Sequence, residues 1–111
     1  MLTGVMVKMN LTITNEAAAF YKNEMELDHN VCLRLYVRVG GVGSGGFSVG
    51  VERLDVRPAT WFTIEAGKLS FAIAEDDYWY FDGMTIDYNK DLEMVAFHQP
   101  KFDNLDHPLH V

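Results

Sequence analysis

A mainly β, α+β fold is predicted for this chain: two curved β-sheets packed together, one helix near the N-terminus and a short aromatic helix further on. Three observations predict it. Several runs alternate apolar and polar residues with the period of a half-buried strand. One early run alone is rich in alanine and spaced for a helix. Turn residues separate the runs. At 111 residues, 49% of them hydrophobic, the chain suits a single domain with a small core.

The elements follow in order. Met1, Met6 and Met9 crowd the start, so the ordered domain is expected to span 9–111, with residues 1–8 as an extension outside the fold. In "LTIT", Leu11 and Ile13 alternate with hydroxyl residues, as in a strand. Thr14 or Asn15 can cap the helix that follows, and Ala17, Phe20 and Tyr21 share one of its faces. "DHN" is a turn signal and predicts that the helix ends near Leu27. "VCLRLYVRV" alternates cleanly: Val31, Leu33, Leu35, Val37 and Val39 on one face, Cys32, Arg34, Tyr36 and Arg38 on the other. "FSVGVERLDV" alternates again. "ATWFTIEAGKLSFAIAEDD" reads as two strands turning at Ala66–Gly67–Lys68. "DDYWYFDG" reads as one or two helical turns capped at Asp76 or Asp77 and stopped by Gly83. "MTIDYN" and "EMVAFHQ" are two last strands joined near Lys90 and Asp91. The tail "PKFDNLDHPLHV" has no periodicity and reads as irregular.

Composition excludes several classes. A formal net charge of −7 disfavours nucleic-acid binding, which rests on Lys and Arg neutralising phosphates. No apolar run approaches the roughly 20 residues that span a membrane. No secretory signal is read at the start, so the cytoplasm is the expected compartment. The single cysteine, Cys32, cannot form an internal disulfide. No enzyme signature is present: neither a nucleophile elbow, nor HExxH, nor CxxC, and Ser44 has no histidine or acid beside it in sequence. The chain is therefore read as non-enzymatic.

The stretch "RVGGVGSGGFSVG" places six glycines between Gly40 and Gly50. Gly41, Gly43 and Gly46 spell G-x-G-x-x-G, but a dinucleotide site needs a helix after the glycines, and the run that follows here has period 2. No GK[ST] follows either, which excludes a Walker loop. What remains is a strand connection, or a loop that presents backbone amides or a side chain to a ligand.

The order of these features resembles a known family. "LTITNEAAAFY", "CLRLYVRVGGVGSGGFSVGV", "DDYWYFDGMTIDY" and "FHQP", spread from Met9 to about Pro100, are together similar to the HesB/IscA-like domain of A-type iron–sulfur cluster carriers. The resemblance implies the family's β-rich fold with small helices and a tendency to form dimers or higher oligomers. It also implies a ligand set of three cysteines, one in the glycine loop and two in a C-terminal C-x-C pair. Thiolates suit iron because they are soft, charged donors. Here the loop position reads Val42 and the tail holds no cysteine, so no ligand role carries over to any residue. The chain resembles a cysteine-poor branch of the family.

The remaining candidates are few. Cys32 reads as a small packed strand residue, with a reactive or dimer-bridging thiol as the alternative. His98, His107 and His110, with Asp103 and Asp106, fall where the family's C-terminal cysteines lie, and imidazole with carboxylate can hold iron or zinc. Against this, a chain-end tail is commonly solvated. Tyr78, Trp79, Tyr80 and Phe81 cannot all face one way; at least two are expected in the core, and others suit an oligomer interface. Arg34 and Arg38 flank Tyr36 and suit either an anion or, preferentially, acids on a neighbouring strand. The expected function is a binding or adaptor role related to iron–sulfur cluster assembly, with a protein partner, without a cluster on the chain's own cysteines. The alternative is a metal-binding protein using the C-terminal His and Asp residues.

Overall fold

A computed structural model describes residues 9–40 and 46–101 of the chain. The predicted extension, residues 1–8, lies outside them. The elements run β1 (Thr12–Ile13), α1 (Asn15–Glu24), β2 (Cys32–Val39), β3 (Phe47–Leu54), β4 (Phe62–Ala66) and β5 (Leu69–Ile73). A 3-10 turn (Glu75–Asp77) then leads into α2 (Tyr78–Phe81), followed by β6 (Thr85–Asn89) and β7 (Met94–His98). Two sheets form, with strand orders β1-β6-β7 and β3-β2-β5-β4. The fold class read from the sequence is the one observed. Among the described residues, no helix is long and apolar enough to cross a membrane.

Helix α1 starts where the sequence places it. The Thr14 hydroxyl accepts from the Ala17 amide at 3.1 Å and donates to Asp87 Oδ1 at 2.9 Å, so one side chain caps the helix and ties it to β6. Ala17, Ala18 and Tyr21 face the core; Phe20, expected beside them, is only partly buried and packs on Tyr88. The helix stops at Glu24, earlier than predicted. Leu27 N–H donates to Lys22 O at 2.9 Å and Glu26 N–H to Asn23 O at 3.3 Å, with Glu26 at φ +53°. This is a Schellman stop with glutamate where glycine is usual, so no local residue type announced it.

The Gly67–Lys68 turn joins β4 to β5 with both residues at positive φ, as a tight two-residue hairpin requires. A Cβ at Gly67 would lie 2.7 Å from the Ala18 Cβ, so the turn seats against α1 only as glycine. The Asn15 side chain accepts from the Gly67 amide at 3.2 Å across the same contact.

The core lies between the sheets. Leu33, Leu35, Phe71 and Ile73 come from one sheet and Ile13 and Ile86 from the other, closed by Tyr80, Phe81 and Met84. Val39, on the same strand face as the buried Leu33 and Leu35, is 82% exposed. β5 pairs with β2 only from Cys32 to Arg34, so the far end of β2 is backed by β3 alone and projects beyond the core.

Candidate functional site

The projecting β2–β3 hairpin carries the glycine loop. Gly40 N–H donates to Gly46 O at 3.0 Å, and both glycines sit at positive φ, near +88° and +84°. This pair closes the ladder beneath the loop, a geometry that side-chain-bearing residues rarely adopt. Val42 and Ser44 lie outside the described residues.

Aromatic packing braces the base of the loop. The Phe47 ring meets Trp79 and Tyr80 edge-on at 5.3 and 5.9 Å, and the Tyr80 hydroxyl donates to Phe47 O at 3.4 Å. Of the four aromatics in this segment, Tyr80 and Phe81 are buried. The Tyr78 hydroxyl accepts from the Phe62 amide at 2.9 Å, and Trp79 remains 46% exposed. The predicted cap is corrected: Asp77 stands at the N-cap of α2 but makes no side-chain capping bond, and Ala74 holds that place for the preceding turn. The Asp77 carboxylate is drawn instead to Arg34 at 3.7 Å. Burial pushes its pKa up, against the Arg34 guanidinium and a Val37 backbone hydrogen bond, while Asp76 adds to the rise.

The same aromatic segment holds the root of the tail. Gln99 is fully buried, and its amide donates to Tyr80 O and Asp82 O, each at 2.8 Å. Lys101 Nζ donates to Trp79 O at 2.6 Å. The Asp82 side chain accepts from the Asn10 amide at 2.8 Å, which anchors the start of β1 to the same turn. Pro100 and Lys101 are helical rather than irregular, with proline at a first-turn position that spares its missing N–H. Loop base, aromatic segment and tail root are thus one connected unit. Gln99 and Asp82 were not singled out from the sequence, because neither residue type marks a buried anchor.

Arg34 is held on the opposite sheet face from the core. Its guanidinium lies 5.1 Å from the Tyr36 ring centroid and 5.4 Å from that of Trp61, and pairs with Glu52 at 3.3 Å. Acids on neighbouring elements therefore surround it, the arrangement preferred from the sequence. Its buried Nε makes no hydrogen bond among the described residues. Arg38 is exposed on the projecting hairpin.

Cys32 stands at the other end of β2 from the loop. At about 3.3 Å per residue, the strand separates it from Val39 by roughly 23 Å. It is buried, and burial pushes its thiol pKa up, only partly offset by Arg57. A thiol whose ionisation is disfavoured is a poorer metal ligand and nucleophile, since the thiolate does that chemistry. His98 is exposed on β7 opposite Thr85, while Asp103, Asp106, His107 and His110 lie outside the described residues. Among the described residues, no group of three or more His, Cys, Asp or Glu side chains is placed to hold a metal ion.

Residues 9–107 match the family described as iron–sulphur cluster biosynthesis, and the chain belongs to that family. Among curated proteins, it is 37% identical over 93 residues to the pyruvate dehydrogenase inhibitor of Bacillus subtilis (strain 168), an alignment covering 80% of this chain and 97% of that one. Among solved structures, it is similar to Escherichia coli SufA, involved in biosynthesis of iron–sulfur clusters. That match has a TM-score of 0.65 at 19% identity and covers 92% of this chain and 91% of the other. It is also similar to IscA, solved with a 2Fe–2S cluster, with a TM-score of 0.56 at 21% identity over 80% of this chain and 83% of that one. These two likenesses bear on the fold.

Proposed function

We propose that this protein is a non-enzymatic binding or adaptor protein built on the cluster-carrier fold, acting in the cytoplasm without holding a cluster through its own cysteine. One observation carries the reading. The chain's only thiol is buried, its pKa pushed up by that burial, at the far end of β2, roughly 23 Å of strand from the loop mouth. A hairpin, brace and tail root without the thiolates they would position suit the display of a surface to a partner.

The relative named as a pyruvate dehydrogenase inhibitor supports a binding role, since an inhibitor acts by engaging its target. A pyruvate dehydrogenase is therefore the first partner to test, and proteins of iron–sulfur cluster assembly are the second. A homodimer would present two such hairpins.

Anaerobic incubation with iron and sulfide, followed by desalting and an absorption spectrum, tests the cluster half of the reading. The expected outcome is no sulfide-to-iron charge-transfer band and no retained iron; a stoichiometric cluster overturns it. Immobilised protein titrated with purified pyruvate dehydrogenase complex tests the first partner. Saturable binding is expected, accompanied by a fall in complex activity.

A further inference from the structure

The three-stranded sheet has an open edge along β7. Thr12 N–H donates to Met84 O and Thr14 N–H to Ile86 O, each at 3.0 Å, so Met84 and Ile86 turn their backbone groups towards β1. By alternation Thr85, Asp87 and Asn89 turn theirs towards β7, where they bond His98, Ala96 and Met94. Val95 and Phe97 therefore point their N–H and C=O groups away from the sheet. Among the described residues no strand meets them. Such a row is a template for another strand.

The other strand edges among the described residues are blunted. β1 has only two residues, and β3 carries Glu52 and Arg53. β4 carries Glu65, and its Phe62 N–H is taken by the Tyr78 hydroxyl at 2.9 Å. β7 lacks such protection: Met94 to Gln99 include no Asp, Glu, Lys, Arg, Gly or Pro. Its apolar side chains are uncovered as well. Phe97 lies opposite the buried Ile86, on the core face of the sheet, yet is 40% exposed at the open edge. Met94 is exposed on the other face, and Leu92 in the turn before it.

One occupant fits this edge by sequence. Set antiparallel to a copy of itself and centred on Ala96, β7 places Val95 opposite Phe97 and Met94 opposite His98. Val95 and Phe97 then form the hydrogen-bonded pairs, each exchanging two backbone bonds about the two-fold axis. Their side chains meet as apolar–aromatic pairs that extend the core face. Glu93 meets Gln99, so no like charges are opposed, although each copy carries a formal net charge of −7. Two acidic copies approach most readily where carboxylates are absent, and residues 94–99 are such a run.

We propose that β7 is a self-pairing edge: two copies of the chain join through antiparallel β7 strands, centred on Ala96, into one continuous sheet. The pairing uses no residue of the β2–β3 hairpin, so it holds whether or not that hairpin engages a partner.

The test uses the full-length protein. Sedimentation equilibrium from micromolar to near-millimolar concentration is expected to show monomer and dimer in exchange. Amide hydrogen exchange reads the register. The Val95 and Phe97 amides are expected to be protected in the dimer and to lose protection on dilution. Those of Met94, Ala96 and His98, bonded within the sheet, stay protected at every concentration. Ala96 is exposed, so it accepts a charge without disturbing the core. Ala96→Lys and Ala96→Glu are each expected to weaken the dimer about fivefold, because the residue on the axis meets itself. Mixed in equal amounts, the two variants are expected to pair at least as tightly as the unmodified protein. A monomer at all concentrations overturns the proposal. So does protection of Val95 and Phe97 that ignores concentration, which would mean that the same chain covers its own edge. A dimer indifferent to both Ala96 variants overturns it too, since the contact then lies elsewhere.

Discussion

The Tyr36 ring lies directly over Gly50 across the β2–β3 ladder, where any Cβ on Gly50 would collide with it. The same ring supports the Arg34 guanidinium, which Trp61 faces from a second direction. Gly50 is thus the sixth glycine of the rich stretch for a reason separate from the loop: it makes room for an aromatic shelf beneath a cation.

Gly50→Ala is expected to destabilise the protein by about 1–3 kcal/mol, the scale of overpacking, because the ring must move and Arg34 loses its shelf. Urea unfolding measures this. In a Tyr36→Ala background the same substitution is expected to cost much less, since nothing then occupies the space. An equal cost in both backgrounds would show that the ring is not the cause.

Gln99→Ala removes both donors that join the tail root to the aromatic turn, leaving the Tyr80 and Asp82 carbonyls without them. A loss of about 2–4 kcal/mol is expected from the lost bonds and the cavity together. Hydrogen exchange is expected to quicken at Trp79 to Gly83 and around Phe47, because the brace is one unit. Faster exchange confined to Gln99 itself would contradict that coupling.

Tyr21 predicts a pH limit. Burial raises its phenol from the ordinary 10.0 to about 12. The folded state therefore holds this proton more tightly than the unfolded chain. Its contribution to stability is complete below about pH 10 and is lost as pH rises towards 12. Tyr21→Phe is expected to flatten stability over that interval, read from urea midpoints at a series of pH values.

Metal binding through the histidines makes the competing forecast to the adaptor reading. If His98, His107 and His110 hold iron or zinc, the protein retains metal without sulfide, and the double variant His107→Ala, His110→Ala loses it. The adaptor reading expects the same trace metal content in both proteins, measured by elemental analysis after dialysis.

Much of the fold was legible because period-2 alternation and turn chemistry are local. Val31 to Val39, Phe47 to Leu54 and the Gly67–Lys68 turn each announced themselves within a few residues. The Schellman stop at Glu26 was not legible, since its φ of +53° falls on a residue type that does not favour it. Nor was the exposure of Val39, because alternation reports which face a residue takes and not whether another strand continues alongside it.

By itself, the sequence determined the family, the absence of its ligand cysteines and the acidic, single-thiol character of the chain, since these depend on residue identity and order. Only the tertiary structure decided that Cys32 is buried and remote from the loop. It alone decided that Asp77 turns to Arg34 rather than capping its helix, and that Gln99 joins tail to brace. Each of these depends on which strands lie side by side. Sheet order brings together residues far apart in sequence, and no local pattern encodes it.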